Sequence, residues 1–428
     1  MSSNAPSSAD ARQRKGLSVE DARARMLARA GAPTVETVPL ARADGRVLAE
    51  TIVAQRDQPP FNASAMDGWA VRRADAGEAV ALRIVGESAA GRGYALPLQA
   101  GEAVRIFTGA PVPDGADLVV IQEQATRDGD WVRLGPAGPP PPLPPPGGGP
   151  PARRAPPAGR SANIRPRGGD FRSGAALLAA GARLDPWKLT LAAAAGRAEV
   201  SVARRPRVAV LATGEELAAP GGAAGPFQIY ESGSAGLQPM LARWGAEATR
   251  LAPTGDDEAA IAAAVRDVAA DLVVTVGGAS VGDYDLVKPA LTALGLALDV
   301  ETVNVRPGKP TWFGRLADGR LVLGLPGNPA SGFVCAELFL KPLALALQGA
   351  TTPVRLASAP PAEPQPANGP REHWMRARIT AGGVVPFPDQ DSSLVTVFAA
   401  ADCLLRRSSG AAAASAGDPA DILPLDRA

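Results

Sequence analysis

Between Arg207 and Leu347, short and nearly uninterrupted apolar runs alternate with stretches of helical pattern, and this alternation constrains the chain more than any other feature. Residues 208–212, 248–251, 272–276 and 298–305 read as strands, and 237–244, 257–270 and 286–294 read as helices. A strand that is apolar at every position has no face left for water, so helices must cover both sides of its sheet. The pattern therefore predicts a parallel, doubly wound α/β sheet. A hairpin over 311–316 and 320–325, turning at Asp318-Gly319, follows it, and then a helix over 330–347.

At 428 residues the chain is too long for one hydrophobic core. It reads as a multidomain α/β plus β protein, with the doubly wound domain between β-rich ones. Residues 1–16 are polar and expected to be a disordered tail. Residues 17–58 and 160–203 form a linking subdomain, with helical patterns at 19–30 (after Ser18) and 177–195 and a strand beginning at 200–202. Residues 59–135 form a β-rich subdomain with strands near 79–85, 102–107, 118–122 and 131–134. Residues 136–159 are dominated by proline and glycine and suit an extended surface insertion. The α/β domain spans 204–350. A small β domain, with strands at 374–379 and 402–406, spans 351–428.

Composition removes several kinds of chemistry. The 44 Lys and Arg balance 43 Asp and Glu, a net charge of +1, which argues against a nucleic-acid binder resting on basic excess. Two cysteines, Cys335 and Cys403, cannot build a disulfide framework or a cysteine-rich zinc site. The single histidine, His373, lies in a strand-like run and reads as a packed or surface residue. Chemistry must come from carboxylates, Lys and Arg, hydroxyls and backbone amides. No stretch reads as a membrane span, no signal sequence is expected, and the cytoplasm is the expected location.

Ligands of open α/β sheets bind beyond the carboxyl ends of the strands. Four distinctive loops fall there: Thr213-Gly214-Glu215-Glu216-Leu217, Gly277-Gly278-Ala279-Ser280-Val281-Gly282-Asp283-Tyr284-Asp285, Arg306-Pro307-Gly308-Lys309-Pro310, and Gly324-Leu325-Pro326-Gly327-Asn328-Pro329. Paired glycines bring backbone N–H groups close to an anion, and the helix that follows adds positive potential. Asp283 and Asp285 suit a magnesium ion bridging to phosphate. Asp256-Asp257 offers further carboxylates, one of the two serving as a helix N-cap. Arg306 and Lys309 supply fixed positive charge. There is neither a Walker-type phosphate loop nor a dinucleotide fingerprint after a strand.

In this order the loops resemble the molybdopterin molybdenumtransferase family, bacterial relatives of the gephyrin C-terminal region. Further matches are Ser64-Ala65-Met66-Asp67-Gly68-Trp69-Ala70, Thr108-Gly109-Ala110-Pro111-Val112-Pro113, Gly115-Ala116-Asp117 and Asn163-Ile164-Arg165-Pro166-Arg167-Gly168-Gly169-Asp170. The resemblance implies an elongated homodimer that inserts molybdate into adenylylated molybdopterin with magnesium, releasing AMP and molybdenum cofactor. It implies an upstream molybdopterin adenylyltransferase and downstream molybdoenzyme acceptors as partners.

By matching motifs, Asp256, Asp283 and Asp285 would surround nucleotide and metal, and Thr213 and Glu216 would line the same mouth. Gly277, Gly278, Ser280, Gly282, Pro326 and Asn328 would cradle the cofactor. Lys288, Arg306 and Ser331 would face the oxoanion, although Ser331 equally suits the first turn of the last helix, and Lys309 would fit the same anionic ligand set. Asn62, Thr108 and Asp170 would complete the site from the part expected to face a partner chain. Arg376, Ser392 and Ser393 would reach it from the C-terminal domain. Asp67 fits a turn as well as a ligand role. Asn62 stands where the family usually has Asp, Gly233 where it has Asn, and Thr302 where some members have Lys. Two other readings stay open on sequence alone: a divergent paralogue that delivers or scaffolds finished cofactor, or one that inserts tungstate.

Overall fold

The computed structural model describes residues 16–77, 80–135, 163–278, 286–350 and 356–425. The proline-rich stretch 136–159 and the 279–285 half of the glycine loop lie outside them. The chain forms two compact units: Met1–Glu50 with Ala179–Leu189 and Glu199–Ala428, and Thr51–Leu178 with Thr190–Ala198.

The first unit contains the sheet expected from the alternation. Its order is Glu247–Arg250, Arg207–Ala212, Leu272–Val276, Leu321–Leu325, Trp312–Arg315, Ala297–Val300. The first four strands are parallel; the last two add antiparallel pairings. Side chains alternate between two cores, as a period of two requires. Val208, Val210, Leu272 and Val274 pack with Leu237, Leu241 and Phe339 on one face. Ala209, Leu211 and Val273 pack with Ile261, Val265 and Leu291 on the other. Asp257 caps the Glu258–Arg266 helix, accepting from the N–H groups of Ala259 and Ala260 at 2.7 and 3.2 Å.

The last helix of this layer runs through Pro329–Cys335, a π-helical segment Ala336–Leu340, and Lys341–Ala346. By length and apolarity it could cross a membrane, but it is 72% buried in the fold, so it is a core helix. Proline at its first position costs no hydrogen bond, because that N–H has no helical acceptor.

Two sequence expectations are corrected. Residues 298–305 are not one strand: Ala297–Val300 pairs antiparallel with Trp312–Arg315, whereas Val305–Arg306 pairs in parallel with Glu372–Thr380. The turn between them moves the chain from one sheet to another, so Arg306 does not sit at the end of a central parallel strand. Residues 177–195 are not one helix either. Ala176–Leu178 is a strand, and the helix is Pro186–Ala194, its first turn fixed by Asp185 accepting from the Lys188 N–H at 2.9 Å.

The same unit carries a second six-stranded sheet: Val305–Arg306, Glu372–Thr380, Cys403–Arg407, Asp421–Pro424 and Ala357–Ser358 in order, with Gly383–Pro386 beside Glu372–Thr380. The second unit is built on the sheet Leu118–Ile121, Gly68–Val71, Glu102–Ile106, Ala81–Ser88, Trp131–Leu134, Ala125–Asp128. Its two faces are filled by Trp69, Leu82 and Val132 on one side and Val104, Ile106 and Val119 on the other.

Candidate active site

A cavity of about 1070 Å³ opens at the carboxyl ends of Arg207–Ala212, Leu272–Val276 and Leu321–Leu325. The four loops singled out in the sequence converge on it through Thr213, Gly214, Glu216, Gly277, Gly278, Arg306, Lys309, Pro326, Asn328 and Ser331. Asp256 lines it as well, because the segment at Thr254 runs beside Thr213: the Gly214 N–H donates to Thr254 O at 3.0 Å, and the Thr254 N–H to Ala212 O at 3.1 Å. Of the aspartate pair, Asp257 is the cap and Asp256 faces the cavity.

The glycines of the cradle are required by packing before any ligand arrives. Gly277 has φ +101°, and a β-carbon there would lie 2.4 Å from Thr213 O. At Gly278, φ +57°, it would lie 2.3 Å from Val287 Cγ2. Gly327 packs so closely on Gly277 that a β-carbon would be 3.2 Å from its Cα. Three backbones thus meet without intervening side chains, which keeps the floor of the cavity made of peptide groups. Thr213, only 3% exposed, holds its hydroxyl at this floor without a hydrogen-bond partner among the described residues.

Positive charge gathers in the lining of the cavity. Arg306, Lys309 and Arg371 line the cavity, are exposed, and have no ion-pair partner among the described residues. The start of the long helix adds its own partial positive charge, with Asn328, Pro329 and Ser331 at the surface of the cavity. Behind them His373 pairs in register with Arg306. Burial, and then Arg306, Arg376 and Arg371 in that order, push its imidazole down to about 4. It is a packed, neutral histidine.

Arg376 is fully buried and does not line the cavity. Instead it anchors the loop that does. Its Nη2 donates to Asp391 O at 2.8 Å, and its backbone exchanges hydrogen bonds with the Gln390 amide at 3.0 and 2.9 Å. That loop presents Gln390, Asp391, Ser392 and Ser393. Ser392 is in turn joined to the helix start: it accepts from the Ala330 N–H at 3.0 Å and from Asn328 Nδ2 at 2.9 Å.

Lys288 is not among the residues of the cavity; its ammonium lies 5.9 Å from the centre of the Trp312 ring. Ser280, Gly282, Asp283 and Asp285 fall outside the described residues. Asn62, Thr108 and Asp170 belong to the second unit. There Asn62 Oδ1 accepts from the Arg167 N–H at 2.9 Å. Thr108 donates through both its N–H and its hydroxyl to Asp67 Oδ1 at 2.7 Å, which holds the Asp67 carboxyl below its usual range. Asp67 therefore tethers a turn. Asp170 is exposed.

Sequence reasoning missed Arg371, Asp391 and Glu231. Glu231 is 2% exposed, accepts from the Ser234 N–H and hydroxyl at 2.7 and 2.6 Å, and pairs with Arg250 at 2.9 Å. The run Tyr230-Glu231-Ser232 before a helix was the available signal. Arg371 had none, because only the pairing of distant strands brings it beside Arg306.

Three family models match the chain. Residues 17–196 match the MoeA N-terminal region (domain I and II), 209–346 a probable molybdopterin binding domain, and 358–425 the MoeA C-terminal region (domain IV). The molybdopterin molybdenumtransferase of Haemophilus influenzae is 35% identical over 336 residues, 78% of each chain. That of Staphylococcus aureus is 30% identical over 423 residues, 96% of each. In fold, the chain is similar to the molybdopterin biosynthesis MoeA protein of Pyrococcus horikoshii OT3. The TM-score is 0.79 at 25% identity, over 96% of this chain and all of the other.

Proposed function

The chain belongs to the molybdopterin molybdenumtransferase (MoeA) family, and we propose that its cavity takes adenylylated molybdopterin and molybdate and releases AMP as molybdenum is inserted. It is a transferase of molybdenum cofactor biosynthesis. The observation that carries the finer reading is the convergence on one cavity of four Gly/Pro loops and three cations that have no ion-pair partner among the described residues. Every component of the proposed reaction is an anion, and a site of peptide N–H groups, Arg306, Lys309, Arg371 and a helix start suits that set.

In this reading the adenylate phosphate lies between the glycine floor and Arg306 with Lys309. Negative charge grows on that phosphate as a water oxygen attacks the molybdopterin phosphorus and the bond to the AMP oxygen breaks, the water proton passing to solvent. Fixed cations in a partly enclosed cavity stabilise such charge without reorganising. Thr213, whose hydroxyl has no partner among the described residues, donates it to a phosphate oxygen. Ser331 and Ser392 face the oxoanion from the helix start and the C-terminal loop.

The magnesium assignment stands apart. No group of three metal-ligating side chains occurs among the described residues. Asp256 is the one proposed ligand on the described wall, and Asp283 and Asp285 would supply the rest. No step above depends on the metal. A magnesium ion bound there would add Lewis-acid stabilisation of the leaving phosphate. Asn62, Thr108 and Asp170 would complete the site in a homodimer, with a molybdopterin adenylyltransferase upstream and apo-molybdoenzymes downstream.

The test mixes purified protein, adenylylated molybdopterin, molybdate and magnesium and follows AMP. Molybdate-dependent release is expected. No AMP, together with tight binding of finished cofactor, would overturn the reading in favour of a carrier. Asp256→Asn is expected to raise the magnesium concentration for half-maximal rate at least tenfold while leaving the thermal midpoint unchanged; an unaltered magnesium dependence removes Asp256 from the metal site.

A further inference from the structure

One wall of the cavity has no part in the anion chemistry. Leu217–Ala218 and Ile229–Tyr230 form a two-stranded parallel pair beside the floor, with Leu217 opposite Ile229 and Ala218 opposite Tyr230. Partners in register project to the same face of a sheet, so Leu217 and Ile229 share one face. Both line the cavity, as does the neighbouring Tyr230. Ile229 is nevertheless 59% exposed, an unusual place for a large aliphatic side chain. Folding gains little by leaving it there.

The pair is held firmly enough to act as a ledge. The Ile229 N–H donates to Glu216 O at 2.7 Å and the Glu231 N–H to Ala218 O at 2.9 Å. Tyr230 Oη donates to Gly222 O at 3.1 Å, pinning the turn that joins the two strands. Beyond Ile229 the segment continues into Glu231, whose buried pairing with Arg250 fixes it to the sheet.

We infer that Leu217 and Ile229 form the ledge on which a flat bicyclic nitrogen heterocycle lies, while the phosphate attached to it reaches the cationic wall. This rests on the functional reading above and adds the part of the substrate that the charged residues cannot select. The cavity is amphipathic in the sense that matters for such a ligand: its lining combines peptide groups and cations with an exposed aliphatic surface. An anion alone, such as molybdate, gains nothing from the ledge. A nucleotide or pterin covers it and removes apolar surface from water. Adenine and pterin share this chemistry, and the experiment separates them.

The test compares wild type, Ile229→Ser, Ile229→Leu and Phe227→Ser. Phe227 is 92% exposed in the same segment but does not line the cavity, so it controls for loosening of the segment. Binding of AMP and of non-adenylylated molybdopterin is measured by calorimetry, alongside KM and kcat for AMP release. Ile229→Ser is expected to weaken one of the two ligands about tenfold and to raise KM by the same factor with kcat unchanged. Phe227→Ser should match wild type, and Ile229→Leu, which keeps an aliphatic surface, should recover most of the affinity lost in Ile229→Ser. The ligand that weakens identifies the ring. If Ile229→Ser binds both ligands normally while wild type releases AMP, the ledge is wrong. It is equally wrong if Phe227→Ser reproduces the loss. If wild type itself releases no AMP but Ile229→Ser still weakens AMP or molybdopterin, the reaction assignment fails and the ledge stands.

Discussion

Single residues at this site are fixed by packing demands that double as functional ones. Gly308 has φ +114°, and a β-carbon there would lie 2.1 Å from Cys335 Sγ, which is fully buried. Gly308→Ala therefore meets a clash and a left-handed backbone together, and is expected to cost about 2–4 kcal/mol in urea unfolding. A loss below about 0.5 kcal/mol would show that the loop relaxes freely. The Cys335 thiol itself is pushed up to about 12 by burial, so it takes no part in nucleophilic chemistry. His373 gives a pH prediction. Its folded pKa, about 4, lies below the unfolded value near 6.5. Between those values the unfolded chain holds the extra proton, so stability falls as pH drops through that window. Wild type should lose about 1–2 kcal/mol more than His373→Gln between pH 7 and pH 4.5, after allowance for solvent screening of the exposed arginines around it. Equal losses in both proteins would mean that the imidazole charges freely in the folded state.

At the scale of elements, the parallel strands were legible because each is apolar along its whole length, and that pattern has one physical meaning. Val208 to Ala212 and Leu272 to Val276 are buried as expected on both faces of their sheet. What was not legible was pairing at a distance. Nothing local to Val305–Arg306 says that it joins Glu372–Thr380, and that one pairing turns the Arg306 loop toward the C-terminal sheet and brings Arg371 to the cavity. The Pro186–Ala194 helix was a different failure: Asp185-Pro186 is a recognisable start, overridden by apolar residues upstream that belong to a strand. The junction between Ser392 and the Pro329–Cys335 helix is likewise tertiary. Among the described residues it rests on one side-chain bond, Asn328 to Ser392, and one backbone bond, Ala330 to Ser392. Asn328→Ala removes only the first, worth about 1 kcal/mol, so the thermal midpoint should move by no more than about 2 °C. KM should rise several-fold, because the loop carrying Asp391 and Ser393 loses its registration with the helix start. An unchanged KM would separate the C-terminal loop from substrate binding.

For the molecule as a whole, the near-cancellation of 44 basic and 43 acidic residues has a kinetic consequence. A protein with net charge +1 exerts no long-range pull on a multiply charged anion, so attraction must come from cations within about a Debye length of the cavity. Arg306, Lys309 and Arg371 are the unpaired cations of the cavity among the described residues, and all three are exposed. Exposed charges of this kind act on capture and are screened by salt. The rate constant kcat/KM for AMP release should therefore fall as sodium chloride rises from 20 to 300 mM, roughly tenfold in wild type. Arg306→Ala with Lys309→Ala should lower kcat/KM about 100-fold at low salt and flatten the dependence on salt. The two effects are separable. A lower rate with the wild-type salt slope would mean that these cations act only after the substrate has docked, and that capture depends on charges elsewhere. A flattened slope with unchanged kcat would confine them to capture and leave the leaving phosphate to the helix start and the glycine floor.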